Sequence, residues 1–80
     1  MILPRKHITL HESLLGLSSY VLEHLEQPKT VDELWGGFTR INNTPQYPAY
    51  QTFDNFVLAI DFLYMSGKVS LTDAGEVQRC

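Results

Sequence analysis

Residues 50–66, YQTFDNFVLAIDFLYMS, decide the fold because they hold the most apolar part of the chain at the spacing of a helix. Between residues 56 and 65 Asp61 is the sole polar residue, and the run has no lysine, arginine, glycine or proline. A bilayer span needs about 20 apolar residues, so this run is too short to cross a membrane. It is therefore predicted to be a helix of a globular domain.

This helix is apolar on two opposite sides. One stripe is assigned to the core of the domain and consists of Phe53, Phe56, Val57, Ile60, Leu63 and Tyr64. The opposite stripe consists of Leu58, Phe62 and Met65, at spacings of four and three. Asp54 and Asp61, seven residues apart, lie on one flank of the helix. A helix with two apolar sides needs two neighbours, and a chain of 80 residues has little material to supply both.

The rest of the chain divides into short elements within one domain over residues 1–80. Thr9 with Glu12 and Thr30 with Glu33 form capping boxes that open two earlier helices. Gly67 is predicted to cap the apolar helix, and a period of two follows it. The predicted order is an extended arm over residues 1–8, helices over 10–26, 31–41 and 52–66, and a hairpin over 68–79.

Three helices followed by a hairpin give the order of elements of a winged helix. The predicted fold class is therefore mainly α with a small β-hairpin: winged-helix-like, with a C-terminal wing. A short helix that starts at Asp73 is the alternative for the last residues. The helix over residues 52–66 would then occupy the position of the recognition helix of a winged helix.

Composition indicates a soluble, cytoplasmic protein. The single cysteine, Cys80, rules out an intramolecular disulfide and fits a reducing compartment. The first ten residues place Arg5 and Lys6 after a short apolar segment, which is the wrong order for a secretion signal. The net charge of −3 argues against non-specific attraction to nucleic acid or to an anionic membrane.

Catalytic and metal chemistry find little support in the sequence. His7 and His11 have the spacing of two ligands on one helical face, but no third ligand is evident, so both are interpreted as surface histidines. No nucleophile motif, phosphate loop or zinc motif occurs. We therefore expect a protein that is not an enzyme and has no cofactor.

Protein binding accounts for the apolar helix better than DNA binding does. A recognition helix normally presents Arg, Lys, Asn or Gln to bases, whereas this helix presents Asp54 and Asp61 and has no cation. The stripe of Leu58, Phe62 and Met65 beside these carboxylates has the composition of an interface with an apolar centre and a charged rim. These five residues are the predicted partner-binding site.

Several alternatives to this interpretation stay open. The amino-terminal arm or the wing of the same chain could cover the stripe. A second alternative is that the chain is a winged-helix DNA-binding module. A third is that it forms a free homodimer, which buries the stripe of one copy against that of the other.

Four segments resemble a known family. They are ILPRKHITLHESLLGL at the start, TVDELW in the second helix, NNTPQYPAY in the following loop and FDNFVLAIDFLYMSG in the third helix. Together they are similar to the small middle component of bacterial ABC-three-component systems, which resemble the Lamassu-type systems of anti-phage and anti-plasmid defence. The resemblance covers nearly the whole chain.

The resemblance implies an accessory subunit without catalytic residues. It implies two partners: a large SMC-like ABC ATPase and an effector subunit that in many such systems looks like a nuclease. SMC-type ATPases have accessory subunits with winged-helix folds, so a similar role is expected here. The family's recurrent segment corresponds to Pro48, Ala49, Tyr50, Phe53, Asp54, Asn55, Phe56, Leu58, Asp61 and Phe62.

Overall fold

The computed structural model describes residues 10–80, and of Leu10 it describes the backbone alone. In this part of the chain the elements are α1 (Leu10–Glu23), α2 (Val31–Thr39), α3 (Phe53–Met65), β1 (Val69–Leu71) and β2 (Val77–Arg79). The strands pair as an antiparallel hairpin. The prediction of a mainly helical domain that ends in a hairpin is confirmed, and the alternative helix from Asp73 is wrong. The predicted arm over residues 1–8, together with His7 and the cap residue Thr9, lies outside the described residues.

Side-chain caps fix where α2 and α3 begin. At α2 the Thr30 hydroxyl accepts a hydrogen bond from the Glu33 amide (3.1 Å), and the Glu33 carboxylate accepts one from the Thr30 amide (2.9 Å). The predicted capping box at this position is therefore confirmed. At α3 the Thr52 hydroxyl accepts a hydrogen bond from the amide of Asn55 (3.1 Å). Both caps satisfy amides that a helix leaves without partners at its start.

A glycine ends α3 and turns the chain into the hairpin. Gly67 has a φ of 76°, a left-handed conformation that glycine adopts without steric cost. Its amide donates to the Tyr64 carbonyl (3.1 Å), and the Lys68 amide donates to the Leu63 carbonyl (2.9 Å). This is the bond pattern of a Schellman motif, so β1 starts directly after the helix.

Both α1 and α2 end earlier than periodicity predicts. α1 ends at Glu23 instead of residue 26 because the chain must turn to bring Lys29 beside β2. There the Lys29 amide donates to the Val77 carbonyl (3.0 Å) and the Val77 amide donates to the Lys29 carbonyl (2.7 Å). α2 ends at Thr39 instead of residue 41, and the Ile41 amide then bonds to the carbonyl of Phe38, three residues back, in a tighter turn.

The core lies between the three helices and the inner face of the hairpin. Its buried residues are Leu17, Tyr20, Val21, Leu25, Leu34, Phe38, Phe56, Ala59, Ile60, Leu63, Val69 and Val77. Phe56 is at its centre, with its ring centroid 5.2 Å from that of Trp35 and 5.6 Å from that of Phe38. Such aromatic pairs add to the stabilisation that burial provides.

The predicted inner stripe of α3 is wrong at two of its six positions. Phe53 is 40% exposed and Tyr64 is 57% exposed, whereas Ala59 is fully buried. The buried arc is centred on Phe56 and Leu63, which places Phe53 and Tyr64 at its edge. Ala59, with its small side chain, lies within this buried arc.

Candidate protein-binding surface

The side of α3 opposite the core presents three exposed apolar side chains. Leu58, Phe62 and Met65 are 45%, 43% and 84% exposed, and we call these three residues the outer stripe. Their spacing of four and three residues places them on one face of the helix. Exposed apolar residues that are contiguous in this way are typical of interaction sites, whereas scattered ones are not.

Two carboxylates border the outer stripe along one edge. Asp54 precedes Leu58 by one helical turn, and Asp61 precedes Met65 by one turn. Both aspartates are exposed, and no described side chain forms an ion pair or hydrogen bond with either of them. They lie about 10 Å apart along the helix axis. The five residues of the predicted site therefore share one exposed side of α3.

A buried polar network holds the start of α3 against α1. The Asn42 side chain accepts from the Gln51 amide and donates to the Gln51 carbonyl, both at 2.9 Å. The buried Gln51 side chain donates to the Ser13 hydroxyl (3.1 Å) and accepts from the Asn55 side chain (3.3 Å). Because buried polar groups are costly unless bonded, this network specifies one position of the loop that leads into α3.

Tyr47 fixes the same loop from the other side. Its hydroxyl oxygen lies 2.6 Å from the position that a Cβ on Gly16 would take, so a larger residue there would force the Tyr47 side chain to shift. Its ring packs edge-on against Phe38 at 4.9 Å between centroids. Burial raises the pKa of Tyr47 above its ordinary value, and a hydrogen bond with Gln51 lowers it to a smaller extent. The outer stripe is thus presented by a helix that is rigidly held at its start.

Sequence reasoning missed a second apolar surface, on the other side of Asp61 from the outer stripe. It is a groove of about 330 Å³ between α3, the hairpin and the start of α2. The residues that line it are Val31, Val57, Ile60, Asp61, Tyr64, Val69, Leu71 and Val77. Helical periodicity places Val57 and Tyr64 in the core. It gives the side of the helix on which a residue lies, but not whether another element covers that side. The sequence gives one local indication of this groove: Val69 and Leu71 are two residues apart in β1, so their apolar side chains point to the same face of the strand.

In residues 10–80 no group of three His, Cys, Asp or Glu side chains is placed to hold a metal ion. No helix in the same range is long and apolar enough to cross a bilayer.

The recurrent segment named above is mostly on the surface. Phe56 is buried, and Ala49 and Asn55 are half-buried. The exposed members are Pro48, Tyr50, Phe53, Asp54, Leu58, Asp61 and Phe62. Core packing explains Phe56, and the ring of Phe53 packs edge-on against Trp35 at 5.4 Å between centroids.

The profile of the family described as ABC-three component (ABC-3C) system Middle Component 6 matches residues 3–80. The chain belongs to this family. Membership in a system of several components implies that the middle component works with partner proteins. No curated protein and no solved structure matches the chain significantly.

Proposed function

We propose that this middle component is a non-enzymatic, cytoplasmic scaffold subunit that joins an SMC-like ABC ATPase to an effector subunit in bacterial defence against phages or plasmids. The outer stripe of α3 carries the proposal, because its three contiguous apolar side chains stay 43%, 45% and 84% exposed in the part of the chain that the structure describes. Burying them against a partner would remove this apolar surface from water.

The carboxylates beside the outer stripe indicate what kind of partner surface fits. Asp54 and Asp61 would form a charged rim around the apolar centre, and a partner with basic side chains at its own rim would complement them. Such rim charges contribute more to the choice of partner and to the rate of association than to affinity.

A scaffold role also fits the way α3 is held. The bonded loop over residues 42–51 and the packed core keep the helix in one position relative to α1. A rigid subunit that contacts two partners transmits movement from one to the other, so the state of the ATPase would change access to the effector.

Replacing Leu58 and Phe62 together by serine tests the proposal. The double variant should fail to copurify with the ATPase subunit, while its helical content by circular dichroism stays close to that of the wild type. Leu15→Ser is the control, because Leu15 is similarly exposed, at 49%, but lies on a different helix, α1. If the double variant binds the ATPase as the control does, the outer stripe is not the binding surface.

DNA binding is the alternative function, and the order of helices and hairpin is what favours it. The exposed side of α3 weighs against it, because Asp54 and Asp61 would face phosphates and no residue of α3 is basic. A mobility shift of a short duplex at physiological salt, weakening steeply as salt rises, would support the alternative. The molecular mass of the isolated chain in solution tests the third alternative, a homodimer. A homodimer would have twice the mass of the monomer, whereas neither the scaffold function nor the DNA-binding function requires the chain to dimerise.

A further inference from the structure

The free edge of the hairpin runs beside the apolar groove defined above. The Cys80 amide donates to the Lys68 carbonyl (3.0 Å), and the Thr72 amide donates to the Glu76 carbonyl (2.8 Å). Bonded pairs alternate with non-bonded pairs in an antiparallel ladder, so the bonded pair between them is Ser70 with Gln78. The amides and carbonyls of β1 at residues 69 and 71 therefore point away from β2.

No described residue pairs with this edge. The other edge of the hairpin differs, because Val77 exchanges two hydrogen bonds with Lys29 there. Within residues 10–80 the amides and carbonyls of Val69 and Leu71 have no partner. An open strand edge is a template for pairing with another chain.

The same two residues contribute their side chains to the groove. Val69 and Leu71 point to the face of the hairpin that packs towards α3, and both line the groove. Side chains of paired residues on neighbouring strands share a face. A strand added to the edge of β1 would therefore direct its side chains opposite Val69 and Leu71 to the groove side of the sheet.

We propose that an extended segment of a partner subunit adds to β1 as a further strand and places alternate apolar side chains against the groove. This inference rests on the proposed function, since it assumes a partner, but it uses a different apolar surface from the outer stripe and shares only Asp61 with the border of that stripe. Two separate surfaces on either side of Asp61 would allow two partners to bind α3 together. Main-chain bonds to β1 hold the segment, and the groove selects its side chains.

Asp61 indicates which charge on the added segment would fit the groove. It is the one charged residue among those that line the groove, and no described residue pairs with it. A Lys or Arg on the incoming segment would meet this carboxylate at the border of an apolar surface. The segment is therefore expected to have apolar residues at every second position and a basic residue near them.

Hydrogen exchange of individual amides tests strand addition directly. In the isolated chain the amides of residues 69 and 71 should exchange faster than that of Ser70, which bonds to β2. On assembly with the ATPase and effector subunits of the system, the first two should slow by about tenfold or more, as expected for newly bonded amides. The Lys29 amide, at the opposite edge of the hairpin, should not change and is the internal control.

A pair of variants at Leu71 separates the main-chain bond from the side chain. Leu71→Pro removes an amide that faces away from β2, so the hairpin keeps its own bonds. Leu71→Ala shortens the side chain but keeps the amide. The proline variant should bind the assembly about tenfold more weakly than the alanine variant, the effect of one lost hydrogen bond. Circular dichroism of both variants checks that they stay folded.

The outcomes distinguish this inference from the proposed function. If the assembly forms and the outer-stripe variant disrupts it, but the amides of residues 69 and 71 stay fast, strand addition is wrong and the scaffold role stands. If both amides are already slow in the isolated monomer, the chain covers its own edge; if they slow as the concentration of the chain alone rises, a second copy does. Either result overturns the inference, and failure of any assembly to form overturns both proposals.

Discussion

The two opposite faces of α3 contain similar side chains but differ in how far these side chains are buried. Phe56 on the inner face is fully buried among the rings of Tyr20, Trp35 and Phe38. Phe62, on the outer face of the same helix, is 43% exposed and lies between Leu58 and Met65. The difference is one of neighbours, since α1, α2 and the hairpin reach one face and leave the other open.

This contrast shows that apolar character does not by itself fix the role of a residue. The inner face of α3 holds the domain together, and the outer face is available for binding. A chain of this size is stabilised by only about 4–12 kcal/mol, so the loss of one large buried side chain removes much of its stability. Substitutions on the two faces should therefore separate stability from binding.

The largest effect is expected from truncating the same residue type on each face. Phe56→Ala should lower the free energy of unfolding by about 3–5 kcal/mol, because it leaves a cavity among three aromatic rings. Phe62→Ala should change it by less than about 1 kcal/mol, because its ring is already partly in water. Urea denaturation followed by circular dichroism measures both.

The matched pair has a clear contradictory outcome. If Phe62→Ala destabilises the isolated chain as much as Phe56→Ala, the outer stripe is covered within the chain itself. The residues before residue 10 would then be the first place to look for that cover.

How far the sequence predicts this molecule depends on whether the deciding contact is local. Thr30 and Glu33 are one helical turn apart, and Gly67 directly follows its helix, so the caps could be found from sequence alone. The exposed sides of Asp54, Leu58, Asp61, Phe62 and Met65 also follow from helical spacing. Each of these features needs no more than one or two turns of neighbouring chain.

Contacts between distant parts of the chain explain what sequence reasoning missed. The early end of α1 follows from the pairing of Lys29 with Val77. The bonds of Gln51 to Asn42 and Ser13 join the loop to a helix far away in the sequence. The burial of Ala59 and the exposure of Tyr64 depend on where α1 and the hairpin lie. Periodicity contains none of this information, which is why the groove was not predicted.

Replacing a glycine by alanine adds one methyl group, and two glycines allow its effect to be compared at a covered and at an open position. Gly16 is the covered position and Gly36 is the open one. Gly16→Ala should destabilise the chain by up to about 2 kcal/mol, because the added Cβ would lie 2.6 Å from the Tyr47 hydroxyl oxygen and this clash opposes the gain of up to about 1 kcal/mol that alanine brings to a helix. Gly36→Ala should stabilise it by up to about 1 kcal/mol, because nothing described lies within 4 Å and alanine favours the helix. Thermal and urea unfolding of both variants measure the difference.

The background variant Tyr47→Phe identifies the cause. It removes the oxygen that the new methyl group would meet, so Gly16→Ala should cost less there than in the wild-type chain. An unchanged cost would mean that the Tyr47 hydroxyl does not set the requirement for glycine, and that another contact of α1 does.

The smallest effect is expected at alkaline pH and again contrasts covered with open groups. Burial raises the pKa of Tyr20 above its ordinary value of 10.0, opposed in part by the nearby positive charge of Arg40, and burial likewise raises the pKa of Tyr47. A pKa that is higher in the folded chain means that the unfolded chain loses its proton first as pH rises. The stabilisation that the neutral phenols provide is therefore complete below about pH 10 and is lost as pH rises through the folded values.

Unfolding free energies measured at pH 8 and again above pH 10 should therefore fall with pH in the wild-type chain. They should fall less in a variant with Tyr20→Phe and Tyr47→Phe, which has no phenol to ionise at either buried position. The modest size follows from the opposing charge of Arg40 at Tyr20 and the opposing hydrogen bond from Gln51 at Tyr47. If the double variant loses as much stability as the wild type, the covered side of the molecule does not set its alkaline limit, and groups on the open surface do.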